Sequence, residues 1–281
     1  MERIRSLDDY LQRKEALRRF RADFTNNYMM NEDAARLIAL DRLYCITNEA
    51  GTFFLSDEDT HYRISMHVDT GKNHQLPSLD KPIVTQMVYQ KDKKKEGHQK
   101  VERWLEKNGF VKQDTAVQVK LDVTKYKAEY QKKFERLHKL LQRMGHEIKV
   151  VDVTYRDKIR EVFLQQDMLH DWYYPFQTEE EIKETFDRNG WICILDQDDR
   201  VLAYHSAYEI NSCCYGMGFI VRNEYQIKYG FAPILQYYRV CITEHPLIRG
   251  EVLLHNAQSM ALHKTIGWTF TNRYTDRWLK E

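Results

Sequence analysis

Residues 256 to 268, Asn-Ala-Gln-Ser-Met-Ala-Leu-His-Lys-Thr-Ile-Gly-Trp, constrain the fold more than any other stretch of the chain. An apolar strand from Glu251 to Leu254 precedes them, Gly267 stops a short helix, and Trp268 opens a last strand that runs to Leu279. Strand, short helix and strand joined at a glycine corner require a sheet with helices packed on it. The corner occurs twice. Leu105 to Phe110 parallels His263 to Trp268 at a constant offset, so that Leu105 stands where His263 does and His98 where Asn256 does. For 281 residues, two domains of about 140 residues each follow.

Hydrophobic periodicity places the other elements. Ser6 with Asp9, then Tyr10, Leu11, Leu17, Phe20 and Phe24, reads as a capped amphipathic helix, with a shorter one over Glu32 to Ala39. Strands are expected at Leu43–Asn48, Thr52–Ser56, Tyr62–Val68, Pro82–Tyr89 and Val111–Val123, with a helix through Leu105 ending at Asn108-Gly109. Tyr126, Tyr130, Phe134, Leu137, Leu141 and Met144 are spaced for a connecting helix stopped by Gly145. The second half then reads as strand Ile148–Val153, helices Arg156–Gln166 and Thr178–Asn189, strands Trp191–Asp196, Val201–Ile210 and Cys214–Val221, and a helix from Pro233 to Glu244.

Charge narrows the partners. With 43 basic and 42 acidic residues the net charge is +1, so no global field draws the chain to nucleic acid or a membrane surface. No apolar run approaches the roughly 20 residues of a spanning helix, and the polar start at Glu2, Arg3 and Arg5 is unlike a signal sequence. A cytoplasmic location is expected. The five cysteines, Cys45, Cys193, Cys213, Cys214 and Cys241, show no C-x-x-C spacing and read as reduced core residues.

The segment Asn256 to Trp268 resembles the GNAT (GCN5-related N-acetyltransferase) family. In that family an Asn follows the fifth strand, a helix carries a Tyr seven positions later, and Gly-Phe opens the sixth strand; Asn256, His263 and Gly267-Trp268 take those places here. The resemblance implies an α/β fold, a mixed and mostly antiparallel sheet flanked by helices, in two tandem GNAT-like domains. It places a degenerate copy at residues 1–124, a connecting helix at 125–145 and the acyltransferase domain at 146–281. Between Val68 and Pro82 the chain is too short for a coenzyme-binding helix, so the first copy is expected to shape or support rather than catalyse.

The resemblance also implies the chemistry. Acetyl-CoA would serve as acyl donor, without a metal, to acylate an amine of a small molecule or peptide. Its pyrophosphate would meet backbone N–H groups where the fourth strand turns into a helix. The family pattern of Arg or Gln, two residues, Gly, one residue, Gly or Ala is met by Gln226, then Ile227-Lys228-Tyr229, then Gly230-Phe231-Ala232, with one residue extra. Lys228 adds charge, and Pro233, expected at the first helical position, supplies no N–H. Backbone groups of Phe219, Ile220 and Val221 would hold the pantetheine arm, with Asn256 and Ser259 facing it.

His263 stands at the position of the family's acid, where the Tyr protonates the departing thiolate. The alternative is a surface histidine on an amphipathic helix. Glu209 is the carboxylate placed to act as base, or else a solvated charge at a strand end; His205 and His255 are further candidates. Trp172, Tyr173 and Tyr174 lie where the family builds its acceptor pocket and offer aromatic faces to an ammonium group, or pack against the first domain. The Lys91 to Lys95 run reads as a solvated loop. Two other readings share the fold: a module that binds acyl-CoA without turnover, and a transferase that takes its acyl group from aminoacyl-tRNA.

Overall fold

A computed structural model describes residues 1–19, 22–26, 29–58, 60–72, 76–93, 96–166, 183, 186–187, 190–210, 213–225 and 230–281. The expected helix Thr178–Asn189 and the aromatic segment Trp172, Tyr173 and Tyr174 lie almost wholly outside these residues, as do Gln226 to Tyr229. Two compact units divide the chain, one formed by Met1–Ala116 with Asn272–Glu281, the other by Val117–Thr271. The division differs from the expected one at both ends. The last ten residues belong with the first unit, and the expected connecting helix belongs within the second.

The first unit contains β1 (Glu2–Arg3), α1 (Leu7–Arg19), β2 (Phe24–Thr25), α2 (Asn31–Ala39), β3 (Leu43–Asn48), β4 (Gly51–Asp57), β5 (Tyr62–Val68), β6 (Ile83–Gln90) and α3 (Glu96–Lys107). The strand β7 (Val111–Asp122) starts in it and ends in the second unit. β3, β4 and β5 form an antiparallel meander, and β5 then pairs in parallel with β6 through Tyr62↔Ile83 and Arg63↔Val84. Its sheet is completed from the far end of the chain: Arg273 to Lys280 of β13 (Thr269–Lys280) pair antiparallel with Gln90 to Ile83. Alternation in β5 sends Tyr62, Ile64, Met66 and Val68 into a core with Phe53, Trp104, Leu105 and Trp278.

In the second unit come α4 (Val123–Arg143), β8 (Glu147–Val150), α5 (Arg156–Leu164), β9 (Trp191–Leu195), β10 (Val201–Ile210), β11 (Cys213–Val221), α6 (Phe231–Ile242), β12 (Leu247–Leu253) and α7 (Ala257–Thr265). Strand order is β12-β11-β10-β9-β8, antiparallel except for the parallel pair β11 and β12. α4 begins at Val123 because Asp122 caps it, its carboxylate accepting from Lys125 N at 2.9 Å. α6 buries Phe231, Ile234 and Leu235 against Ile192, Ile194 and Leu202, while α5 buries Ile159 and Val162 with Trp191 and Tyr204. Helices therefore rest on this sheet through two separate apolar clusters. Among the described residues no helix is long and apolar enough to cross a membrane.

Candidate active site

The parallel pair β11 and β12 sets the geometry. Its partners are Cys214↔Ile248 and Tyr215↔Arg249, and no further pair follows among the described residues, although β11 runs on to Val221. The cause lies on the other edge of β11. Against β10 the register steps from Ser206↔Gly218 to Ala207↔Gly216, which leaves Met217 as an extra residue, and Gly218 takes φ +151°. Such a bulge bends and twists the strand that carries it. Beyond Tyr215 the strands therefore diverge as a fork, and Phe219, Ile220 and Val221 lie half-buried along one prong.

At the open end of the fork stands α6. Arg222, 1% exposed, pins the end of β11 by donating to Val201 O at 2.5 Å and pairing with Glu161 at 2.8 Å. Gly230 then turns the chain into the helix at φ +66° and, lacking a side chain, offers no cap of its own. Pro233 is the third residue of α6, not the first as expected, because Phe231 and Ala232 are already helical. The N–H groups of Phe231 and Ala232 come before Pro233, and Ile234 N bonds Gly230 O at 3.4 Å. The side chains of Phe231 and Ala232 are buried, so their bearing on an anion is through backbone alone. Lys228 and Tyr229 lie outside the described residues.

The helix α7 closes the other side. Asn256 caps it, accepting from Ser259 N at 2.9 Å, which commits its carbonyl oxygen to the helix rather than to a ligand. His263 lies one turn beyond Ser259, 8% exposed, with its ring 6.0 Å from Phe219 and 5.4 Å from Trp268. Its Nδ1 is 2.7 Å from Ser259 O and 3.3 Å from Ser259 Oγ. A carbonyl only accepts, so Nδ1 carries the proton and Nε2 the lone pair. Burial lowers the His263 pKa, opposed by the bond to the Ser259 carbonyl. In the neutral ring Nε2 is then free to accept. Gly267 at φ +86° ends α7, and a Cβ there would meet Tyr130 at 3.2 Å.

Glu209 does not join His263. It pairs in register with Cys214, accepts from Thr243 Oγ1 at 3.3 Å and faces His245 at 3.6 Å. Phe219, which touches His263, pairs with His205. Five residues of bulged strand separate Cys214 from Phe219, about 13–17 Å. His205 was a lesser candidate, yet it is 1% exposed and fixed by Arg239, whose Nε donates to its Nδ1 at 3.2 Å. Arg239 also donates to Gly190 O at 2.9 Å, and burial lowers its pKa to about 10. Burial, with the Arg239 charge nearby, holds the His205 pKa well below the ordinary value. Sequence reasoning passed over Arg239, Gly216 and Gly250. A lone cation inside the apolar run Ile234–Ile242, and glycines within strands, were the available signals.

The first unit holds a polar cluster of its own. Ligand atoms of His98, Glu102 and Asp276 lie within 4.8 Å of one another. Lys112 Nζ, however, sits 2.7 Å from Asp276 Oδ2 and 3.7 Å from Glu102 Oε1, so an ammonium group already supplies the positive charge there.

No protein-family model matches the sequence, and no curated protein matches it either. Solved structures do match in shape. A GNAT-family acetyltransferase from Colwellia psychrerythraea is 9% identical with a TM-score of 0.53, over 100% of this chain and 99% of that one. A GCN5-related N-acetyltransferase from Kribbella flavida is 10% identical with a TM-score of 0.51, over 86% of this chain and 90% of that one. The chain has the GNAT fold. The glucosamine N-acetyltransferase region of a fungal multi-domain GH3 β-N-acetylglucosaminidase also shares it, with 10% identity and a TM-score of 0.55 over 82% of this chain and 31% of that one. A likeness of this kind establishes the GNAT fold and leaves the chemistry to the site.

Proposed function

We propose that the second unit is an acyl-CoA-dependent N-acyltransferase, with acetyl-CoA or a close relative as donor and an amine of a small molecule or peptide as acceptor. The fork between β11 and β12, opening toward the start of α6 at Gly230, carries this reading. The pyrophosphate would bind at Gly230, Phe231 and Ala232, helped by Lys228 and Tyr229. The pantetheine arm would follow Phe219, Ile220 and Val221 as a pseudo-strand, past Asn256 and Ser259. Trp172, Tyr173 and Tyr174 would shape the acceptor side.

Attack forms a C–N bond at the thioester carbonyl and breaks the C–S bond. The nucleophile must be a neutral amine, so its second proton has to leave as the bond forms. His263 Nε2, a lone pair on a buried neutral ring, supports the role of that acceptor directly or through water. The thiolate then takes a proton from solvent, and Glu209 serves away from the reacting atoms. Thiol release from acetyl-CoA across an amine panel tests the assignment. Turnover that falls at least a hundredfold in His263→Ala, with an acid limb below pH 6.5 in the wild type, supports it. Coenzyme binding without turnover on any amine supports the second reading, a non-catalytic module, which the committed Nδ1 and the remote Glu209 favour.

A further inference from the structure

The helix α4 concentrates positive charge beside the fork. Its 21 residues hold seven Lys and Arg against two Glu, in a chain whose net charge is +1. Both acids have other partners: Glu129 pairs with Lys125 at 3.8 Å, and Glu135 accepts from Gln131 at 3.2 Å. Lys133 and Arg136 are exposed and form no ion pair among the described residues. Leu137 and Phe134 set their place in the fold. Leu137 Cδ2 lies 3.5 Å from where a Cβ on Gly230 would stand, and the Phe134 ring stacks on Tyr237 of α6 at 4.2 Å. At about 100° a residue, Phe134 lies about 60° to one side of Leu137, and Lys133 and Arg136 lie about 40° and 100° to the other. That other side is turned from α6 toward α7: Lys133 Nζ stands 5.8 Å from the ring of Tyr130, whose hydroxyl donates to Thr265 O at 3.3 Å.

Two exposed cations therefore border the start of α6 on its α7 side, next to the place that the coenzyme reading gives to the diphosphate. Coenzyme A carries a further phosphate, on the 3′-oxygen of the ribose that bears that diphosphate. Resting on the coenzyme reading above, we propose that Lys133 and Arg136 of α4 form the subsite for this 3′-phosphate. A guanidinium takes two phosphate oxygens at once, an ammonium adds a point charge, and a charge-assisted bond is about twice as strong as a neutral one. Both side chains stand in solvent, so they can close on a dianion without parting Leu137 from Gly230. The helix N–H groups at α6 are left to the diphosphate, and the connecting helix reads the group that distinguishes coenzyme A from its dephosphorylated form.

Calorimetric titration of the full chain with acetyl-CoA and with acetyl-3′-dephospho-CoA tests the proposal. At low salt acetyl-CoA should bind about tenfold or more tightly, the effect of one or two charge-assisted contacts, and the ratio should shrink as salt screens exposed charges. In the double variant Lys133→Gln/Arg136→Gln the ratio should fall to about one, through weaker binding of acetyl-CoA alone. Arg136→Gln by itself should lower it about threefold or more, whereas Lys139→Gln, which removes the same charge from the face of α4 opposite Leu137, should leave it unchanged. Equal affinities in the wild type, a ratio that survives in the double variant, or one that falls as far in Lys139→Gln as in Arg136→Gln would overturn the inference while leaving the coenzyme site intact. No binding of either ligand would overturn both.

Discussion

The two units share a corner and differ in what precedes it. In the first, Phe110 N bonds Leu105 O at 3.0 Å across Gly109 at φ +80°; in the second, Trp268 N bonds His263 O at 2.9 Å across Gly267 at φ +86°. Each follows a parallel strand pair, β5 with β6 and β11 with β12. Between β11 and β12 the chain builds α6 with Gly230 at its start, whereas the described residues between β5 and β6 form no helix. There Asn108 Oδ1 accepts from Leu76 N at 2.9 Å and Leu76 enters the apolar core. The second unit thus has a helix terminus and the buried His263, whereas the first has Leu105 where His263 stands and Leu76 packed in its core.

Deleting Asn272–Glu281 should have the largest effect. It strips β6 of its antiparallel partner and removes Trp278, which is 2% exposed, together with Asp276. Truncating one buried aromatic alone costs about 3–5 kcal/mol, so hydrogen exchange should show the first unit's amides unprotected. Protection retained across β3 to β6 would show that this unit does not depend on the chain's end.

Next is the helix terminus. Asn and Asp tolerate the left-handed backbone and have nearly the same shape, so Gly230→Asn and Gly230→Asp differ chiefly in charge. Gly230→Asp should bind acetyl-CoA at least tenfold more weakly than Gly230→Asn, through a charge set against the pyrophosphate. Equal affinities would move the phosphates elsewhere.

Acid should separate the units by pH. In the first, Glu58 and Asp276 are held down to about 2, Glu58 by His61 and Arg63 against its burial, Asp276 by His98, Lys112 and Thr115 against its burial. Their stabilisation is complete above the ordinary values of 4.5 and 3.8 and is lost as pH falls toward 2. In the second, His205 and His263 have lowered values, so the unfolded chain takes up protons first as pH drops below 6.5. Hydrogen exchange at stepped pH should show β10 and α7 losing protection from about pH 6, ahead of β5 and α3. The reverse order would refute the assignment of neutral buried histidines.

The smallest contrast lies in the corners. A Cβ at Gly267 would meet Tyr130 at 3.2 Å, whereas one at Gly109 would find only Lys280 Cε at 3.9 Å. Gly109→Ala should cost about 1 kcal/mol from its backbone alone, and Gly267→Ala about 2 kcal/mol or more, measured by chemical denaturation.

Elements with clean periodicity were legible in the sequence: the Tyr62–Val68 alternation, the α4 stripe and the Asn256 to Trp268 corner. Leu247 to Gly250 was missed as strand because Pro246 and Gly250 interrupt the alternation. The exchange of the last strand was invisible, since β13 reads as a strand whichever sheet receives it. Position in the sequence singles out Asn256, His263 and Gly230 as candidates, but not what their polar atoms do. The Nδ1 bond to Ser259 O and the Asn256 cap depend on helix geometry that residue identity does not carry. His205 ranked low because nothing in sequence sets it beside Arg239, 34 positions away.

The stoichiometry of acetyl-CoA binding tests most directly the claim that only the second unit holds a coenzyme site. Isothermal calorimetry on the full chain should give one saturable equivalent, weakened in Gly230→Asp. Two equivalents, none, or one that is indifferent to Gly230→Asp would contradict it.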